Sequence, residues 1–292
     1  MSIAEARKYN VLIVPMVVIM GTVIGWPLLQ TFFLSFTDTT LMGLEPASFV
    51  GWRNFIDAFH DDGFLSSLKV SLLFALVVVT SEMVLGTSVG LLVHQPFVGR
   101  SFVRALLILP WAVPTVVNAI MWRLIYNPEY GALNSLLFQL GIMKEYTSWL
   151  SNAGRALPSI MFADVWKNFS LVALITLSAL QTLPLSQIEA AKIDGAGAGQ
   201  RFFYITLPHI IPSLQVALVL RIIETVKVFD IIYIMTKGGP ANKTRSGSIF
   251  VYQEAFTNSR MGSGAAFAII MVALIMILIC MYLRVLTTKR SS

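Results

Sequence analysis

An all-α integral membrane protein with six transmembrane helices is the fold class this sequence predicts, on three observations. Hydrophobic residues make up 56% of the chain and charged residues 12%, whereas soluble domains carry about 25% charged residues. Mean hydropathy is +0.75. Six runs are long and almost free of charge, and a bilayer core needs roughly 20 apolar residues per helical span. Lipid cannot satisfy free backbone groups, so each run is expected to be a helix. The polar stretches between runs are too short for a large water-soluble domain, and residues 1–292 read as one transmembrane domain.

The first span is expected at 10–36. It follows Arg7 and Lys8, as a signal peptide would. It is far longer than a signal core of about 7–15 residues, and no Ala-x-Ala site ends it, so it reads as retained. The second span, 68–94, holds Glu82 alone. The third, 103–126, contains Asn118 and Trp122. The fourth, 157–181, opens with Asp164, Trp166, Lys167 and Asn168. The fifth, 209–235, carries Arg221, Glu224, Lys227 and Asp230, each three residues from the next. The sixth, 262–286, holds the single cysteine, Cys280, so no intrachain disulfide forms. Gly21/Gly25 and Gly86/Gly90 repeat the four-residue spacing that lets membrane helices approach closely.

An even span count puts both termini on one side. Arg7, Lys8, Arg100, Arg104, Lys192, Arg201, Lys289 and Arg290 fall in the shorter loops and the termini. Arg53, Lys144, Lys237, Lys243, Arg245 and Arg260 fall in the longer loops. The higher basic density of the first set marks it as cytoplasmic. The net charge of +6 is therefore assigned to orientation. The basic residues form no stripe, and no nucleic-acid partner is expected. The outer loop 38–66 contains Asp38, Glu45, Asp57, Asp61 and Asp62 with Trp52 and Phe55, and the outer loop 236–261 opens on the turn signal Gly238-Gly239-Pro240. Either is a contact surface for an external partner or an ordinary solvated loop.

The 182–208 loop is expected to form two short helices around a bend. Ser186-x-x-Glu189 fits a capping box after Pro184, and Gly195 fits a left-handed helix terminus. Gly197 and Gly199 loosen the bend, and Gln200 to Thr206 is expected to turn helical again. A helix this short is marginal alone, and a docked partner would brace it. Its exposed side would offer Ala190, Ala191 and Ile193, with Asp194 and Arg201 at the rim. The run Gly195-Ala196-Gly197-Ala198-Gly199 lacks the spacing, preceding strand and Lys-Ser/Thr of a phosphate-binding loop, and no Walker motif occurs. ATP binding by this chain is not expected.

Glu189-Ala190-Ala191, three residues, Gly195, nine residues, Ile205-x-Leu207-Pro208 resembles the EAA loop of bacterial ABC-importer permeases at every fixed position. Asn127 to Asn134 and Arg221 to Tyr233, followed by Thr236-Lys237-Gly238-Gly239-Pro240, are similar to segments of the carbohydrate-uptake group. That group includes the maltose- and glycerol-phosphate-type permeases, and the likeness is to the first permease of the pair. The chain departs from the maltose type by lacking extra N-terminal spans and a large inserted outer domain. The resemblance implies a type I ABC importer permease fold in the bacterial cytoplasmic membrane. It also implies a second permease chain, two copies of a cytoplasmic ATPase that hold ATP and Mg, and an extracytoplasmic solute-binding protein. It makes Glu189, Ala190, Ala191, Asp194, Gly195 and Arg201 the ATPase-docking residues.

Ionisable residues at membrane depth are costly and mark function or pairing. Arg221, Glu224, Lys227 and Asp230 are spaced to pair along one helix face, and one or two of them are expected to face a solute. Trp166 is either an interface anchor or a platform for a sugar ring. The substrate-pathway candidates are Asn118, Trp166, Asn168, Glu224 and Lys227. An ion-coupled secondary transporter of a small polar solute would account for the buried charges equally well, although such folds often show internal repeats and none is visible. A membrane-embedded enzyme is disfavoured. His60, His94 and His209 lie far apart, and neither a metalloprotease nor a nucleophile-elbow motif occurs. No catalytic or metal-binding residue is expected.

Overall fold

The computed structural model describes residues 13–43 and 47–290, the last six in backbone only. The expected start of the first span at 10–12, together with Arg7, Lys8 and Glu45, lies outside the described residues. Among those described the chain is helical, with two isolated bridges, Thr37 to Phe49 and Thr40 to Arg260, as its only extended pairing. It divides into two compact units, residues 1–66 with 250–276, and residues 67–249 with 277–292.

In the first unit, α1 (Ile13–Leu34) carries a π-helical turn at Gly21–Gly25. That turn lies directly before Trp26-Pro27, where a proline removes a backbone donor. The expected solvated loop contains a helix of its own, α2 (Arg53–His60). Asn54 Nδ2 donates to the carbonyls of Ser35 and Thr37 at 2.9 and 2.8 Å and so ties α2 to the end of α1. Phe36 packs among Phe32, Trp52 and Phe55. Asp61 caps the start of α3 (Asp62–His94), its Oδ1 accepting the Phe64 N–H at 2.8 Å.

In the second unit the third apolar run is not the single helix expected over 103–126. It forms α4 (Arg100–Ala112) and α5 (Thr115–Ile125), bent by 94°. The cause is Pro114, which pushes Val113 into an extended conformation (φ −69°, ψ 126°). A short helix, α6 (Ala132–Gln139), follows. Then comes α7 (Ala156–Gln181), which matches the fourth run and is buried along most of its length.

The 182–208 segment holds α8 (Leu185–Ile193) and α9 (Ala198–Arg201). The backbone then stays helical through a π segment, Phe202–Thr206, into α10 (Leu207–Val226). That π segment again precedes a proline, Pro208. The expected single span over 209–235 is interrupted. α10 stops at Val226, the chain leaves helical geometry over Lys227, Val228 and Phe229, and α11 (Asp230–Thr236) resumes. After α12 (Gly247–Tyr252) and a third π turn, Gln253–Thr257, the last helix is α13 (Met261–Arg290). Among the described residues four helices can cross a membrane by length and composition, or five when the bent α4–α5 pair counts as one span.

The core of the second unit joins Phe74 and Val78 of α3, Ala119 and Trp122 of α5, Ile160 of α7 and Ile231 of α11. α3 and α7 cross closely. A Cβ on Gly86 would lie 2.5 Å from the Val172 Cβ, and one on Gly90 2.7 Å from the Thr176 Cβ. The similarly spaced Gly21 has open space around it.

Candidate functional site

The second unit holds two features that sequence pattern and geometry single out. The first is the capped loop. Ser186 is not a cap, because α8 begins one residue earlier after Pro184 and has no side-chain cap. The expected capping box is therefore absent. Proline has already set the helical entry, and its missing N–H is one of the donors that a helix start leaves unpaired.

The C-terminus follows the expected pattern. Gly195 has φ +80°, its N–H donates to the Lys192 carbonyl at 3.1 Å, and the Ala196 N–H donates to the Ala191 carbonyl at 2.8 Å. This is a Schellman terminus, which a left-handed glycine makes accessible. Gln200 Oε1 then accepts the Gly197 N–H at 2.8 Å. The Arg201 guanidinium donates to the Ala196 carbonyl. These bonds fix the turn between α8 and α9.

A cleft of about 400 Å³ lies in the crook, lined by Ala191, Asp194, Gly195, Arg201 and Tyr204 among others. Ile193 is 87% exposed and Tyr204 80% exposed beside it. Glu189 and Ala190 are exposed on α8 and lie outside the cleft wall.

The second feature is a polar cavity of about 390 Å³. Two helices present matching stripes to it. α7 offers Asp164, Lys167, Asn168 and Leu171, and α10 offers Arg221, Glu224 and Thr225, followed by Val228 just past its end. Both follow the i, i+3, i+4, i+7 spacing of one helix face. The rest of the wall comes from the two interruptions. Trp111 and Thr115 flank the α4–α5 bend, while Lys227 and Phe229 lie in the α10–α11 break and Asp230 and Ile231 follow it. Non-helical backbone at membrane depth is tolerated where it is packed in protein or lines a cavity.

The expected pairing ladder along the fifth run forms only in part. Lys227 Nζ lies 3.0 Å from Glu224 Oε1, with both side chains about half exposed. Arg221 turns instead to other helices. Its Nε and Nη2 donate to the two Glu82 carboxylate oxygens of α3 at 2.6 and 2.9 Å, and Nη2 reaches Asp164 Oδ2 of α7 at 3.3 Å. All three residues are buried. Glu82, solitary in its own run, is therefore the partner of a guanidinium 139 residues away. Lys167 is buried as well and makes no hydrogen bond or ion pair among the described residues. Asn168 lines the cavity, and its Nδ2 donates to the Asp164 carbonyl at 3.1 Å.

Of the five pathway candidates, Asn168, Glu224 and Lys227 share this wall, and Asn118 and Trp166 do not. Asn118 is fully buried and reaches the Ala163 carbonyl at 3.4 Å. Trp166 packs edge-on against Trp122, with ring centres 5.8 Å apart. Sequence reasoning did not single out Trp111, Thr115 or Thr225. The heptad-like stripe Arg221, Glu224, Thr225, Val228 was the available signal for Thr225.

Comparison with known proteins gives a consistent result. The family model described as "Binding-protein-dependent transport system inner membrane component" matches residues 82–290. The chain is 37% identical to the trehalose/maltose transport system permease protein MalF of Thermococcus litoralis, over 96% of this chain and 94% of that protein. It is 32% identical to the sn-glycerol-3-phosphate transport system permease protein UgpA of Escherichia coli O157:H7, over 95% of this chain and 93% of that one. The fold is similar to that of a chain in the crystal structure of a bacterial ABC transporter involved in the import of the acidic polysaccharide alginate. That match has a TM-score of 0.81 at 19% identity and covers 97% of both chains.

Proposed function

Because the chain belongs to the family of binding-protein-dependent transport system inner membrane components, with the type I permease fold, we propose that it carries a carbohydrate or related polyol into the cell. It would do so as one permease of an ATP-driven ABC importer. It is a transport subunit, and in such importers ATP is hydrolysed by a separate subunit. The observation that carries the reading is the unbroken helical path from the capped loop through α9 and the π segment into α10, which ends at the polar cavity. A partner that grips the loop can thereby act on the cavity wall.

The assembly consists of this chain, a second permease chain, two ATPase copies holding ATP and Mg, and an extracytoplasmic solute-binding protein. The chain sits in the inner membrane with both termini and the 182–208 loop in the cytoplasm. The interrupted segment from Leu207 to Thr236 acts as the fifth of six spans. Glu189, Ala190, Ala191, Asp194, Gly195 and Arg201 form the docking face, and the exposed Ile193 fills a groove on the ATPase. Asn168, Glu224 and Lys227 meet the solute, while Asn118 and Trp166 support the wall from behind. Transport proceeds because the ATPase favours one permease conformation over another. Family membership speaks against ion-coupled transport. The charges that made that alternative attractive include a structural pairing, Arg221 with Glu82 and Asp164.

The test is co-purification from the native membrane, wild type against Gly195→Asp, followed by an ATPase assay. The expected result is a second permease and an ATPase with the wild type, and loss of ATPase activity from the variant. A wild-type chain that purifies without any ATPase would overturn the coupling reading.

A further inference from the structure

The short helix α2 (Arg53–His60), with Trp52 at its N-cap, divides its surface three ways. Asn54, Phe55 and Ala58 turn toward the chain. Asn54 is bonded to the end of α1, Phe55 packs against Phe36, and Ala58 is fully buried. Trp52, Ile56 and Phe59 form a second face, at the i, i+4, i+7 spacing of one helix side. They are 66%, 57% and 59% exposed. Arg53, Asp57 and His60 form a third, polar face at the same spacing and are also exposed. At about 100° per residue the centres of the three faces lie roughly 100–140° apart. A helix lying along a bilayer surface presents this division, with protein on one side, lipid beneath and water above.

The depth of α2 fits that placement. α1 (Ile13–Leu34) is apolar enough to cross a membrane. Its 22 residues measure about 33 Å at 1.5 Å per residue, against a hydrocarbon core of about 30 Å. The carbonyls of Ser35 and Thr37, to which Asn54 is bonded, therefore lie where the span leaves the hydrocarbon. A second chain segment marks the same level. The Leu41 N–H donates to the Ser259 carbonyl at 2.9 Å and the Gly262 N–H to the Thr39 carbonyl at 3.0 Å, beside the start of α13 at Met261.

The apolar surface is also continuous across the junction. Phe32 and Phe33 are exposed near the end of α1. Phe36 packs against Phe32 on one side and Trp52 on the other, with ring centres 5.2 Å apart in both pairs. The face that α1 turns to lipid thus runs on into Trp52, and tryptophan is favoured at the headgroup level.

We infer that α2 is an interfacial helix, seated in the bilayer surface at the C-terminal end of α1 with Trp52, Ile56 and Phe59 in lipid. Its seating comes from apolar burial. Arg53 is already paired with Asp57 at 3.7 Å, and Asp61 and Asp62 follow directly, so no excess of positive charge draws it to anionic headgroups. The inference rests on α1 crossing the membrane, and on neither the solute nor the ATPase.

The experiment is EPR power saturation on the full complex, purified from the membrane into phosphatidylcholine nanodiscs. In a Cys280→Ser background, spin labels on Ile56→Cys and Phe59→Cys are compared with labels on Asp57→Cys and His60→Cys. All four side chains are exposed, so each variant is expected to fold. Oxygen, which concentrates in lipid, is expected to exceed a water-soluble nickel chelate several-fold as collider at 56 and 59. The ratio is expected to invert at 57 and 60, and to stay the same when phosphatidylglycerol is added. Nickel access at 56 and 59 equal to that at 57 and 60 makes α2 a solvated helix and overturns the inference. Low access of both colliders at 56 and 59 shows that another protein chain covers this face, and overturns it too. Lipid exposure that appears only with phosphatidylglycerol overturns the apolar seating.

Discussion

Arg221 is the residue at which local spacing and tertiary structure part. Its neighbours along the helix offered a carboxylate three residues on, yet its guanidinium is taken by Glu82 and Asp164 of two other helices. A planar fork matches a carboxylate in two parallel bonds, and burial makes that geometry worth more than a half-exposed pair. The ionisable residues of the site were legible in the sequence because charge at membrane depth is rare. Their partners were not, because helix rotation and crossing decide which faces meet. Removing one member of a buried charge pair costs about 3–5 kcal/mol, while replacing the pair with apolar residues is often neutral. Glu82→Gln should therefore lower the thermal midpoint of the solubilised complex markedly, and Glu82→Leu with Arg221→Leu should recover part of the loss. A Glu82→Gln midpoint equal to wild type would show that the pairing contributes no stability. In the loop between α1 and α2, Asp38 accepts hydrogen bonds from the Ser48 hydroxyl and N–H, which hold its carboxyl below the usual carboxylate range. With the folded value depressed, this closure is fully present above the unfolded value and is lost as pH falls through the folded one. The exchange protection factor of the Ser48 N–H is expected to fall on acidification through the folded value, and Asp38→Asn to remove that pH dependence.

At the scale of elements, the sequence placed the apolar runs well and misread their continuity. Length and hydropathy register an apolar run whether or not its helix is whole, so the bend at Val113-Pro114 and the break at Lys227 to Phe229 both escaped. Pro114 was a visible signal for the first. The second has no proline or glycine, so no local signal marked it. The capped loop was legible because its determinants are local, a proline entry and a left-handed glycine exit. A β-carbon in left-handed geometry costs about 1–2 kcal/mol, so Gly195→Ala is expected to weaken loop-dependent ATPase stimulation while leaving membrane insertion intact, as read by proteoliposome ATPase assays. The paired glycines give a contrast within one experiment. Gly86→Val should overpack the α3–α7 crossing by about 1–3 kcal/mol and reduce the folded yield on size-exclusion chromatography. Gly21→Ala, with open space around it, should not.

For the molecule as a whole, composition announced a membrane protein but gave no ranking among its helices. None of the most apolar window of α1 is buried within the chain, against 61% for α7, although both read as apolar runs. Lipid tails are as apolar as a protein interior, so hydropathy marks a helix as membrane-compatible without saying what it faces. The topology proposed above has a direct check. In a Cys280→Ser background, Lys192→Cys is expected to react with a membrane-impermeant maleimide only from the cytoplasmic side, and Lys144→Cys only from outside. The same side for both would invert or break the six-span arrangement. Finally, the helical backbone that runs from Ala198 to Val226 without a gap is a lever. At 1.5 Å per residue it measures on the order of 40 Å, so a swing of about 5° at one end moves the other by roughly 3–4 Å, more than the length of a hydrogen bond. A solute held by hydrogen bonds at the far end would be released by an angular movement too small to disturb the packing at the pivot.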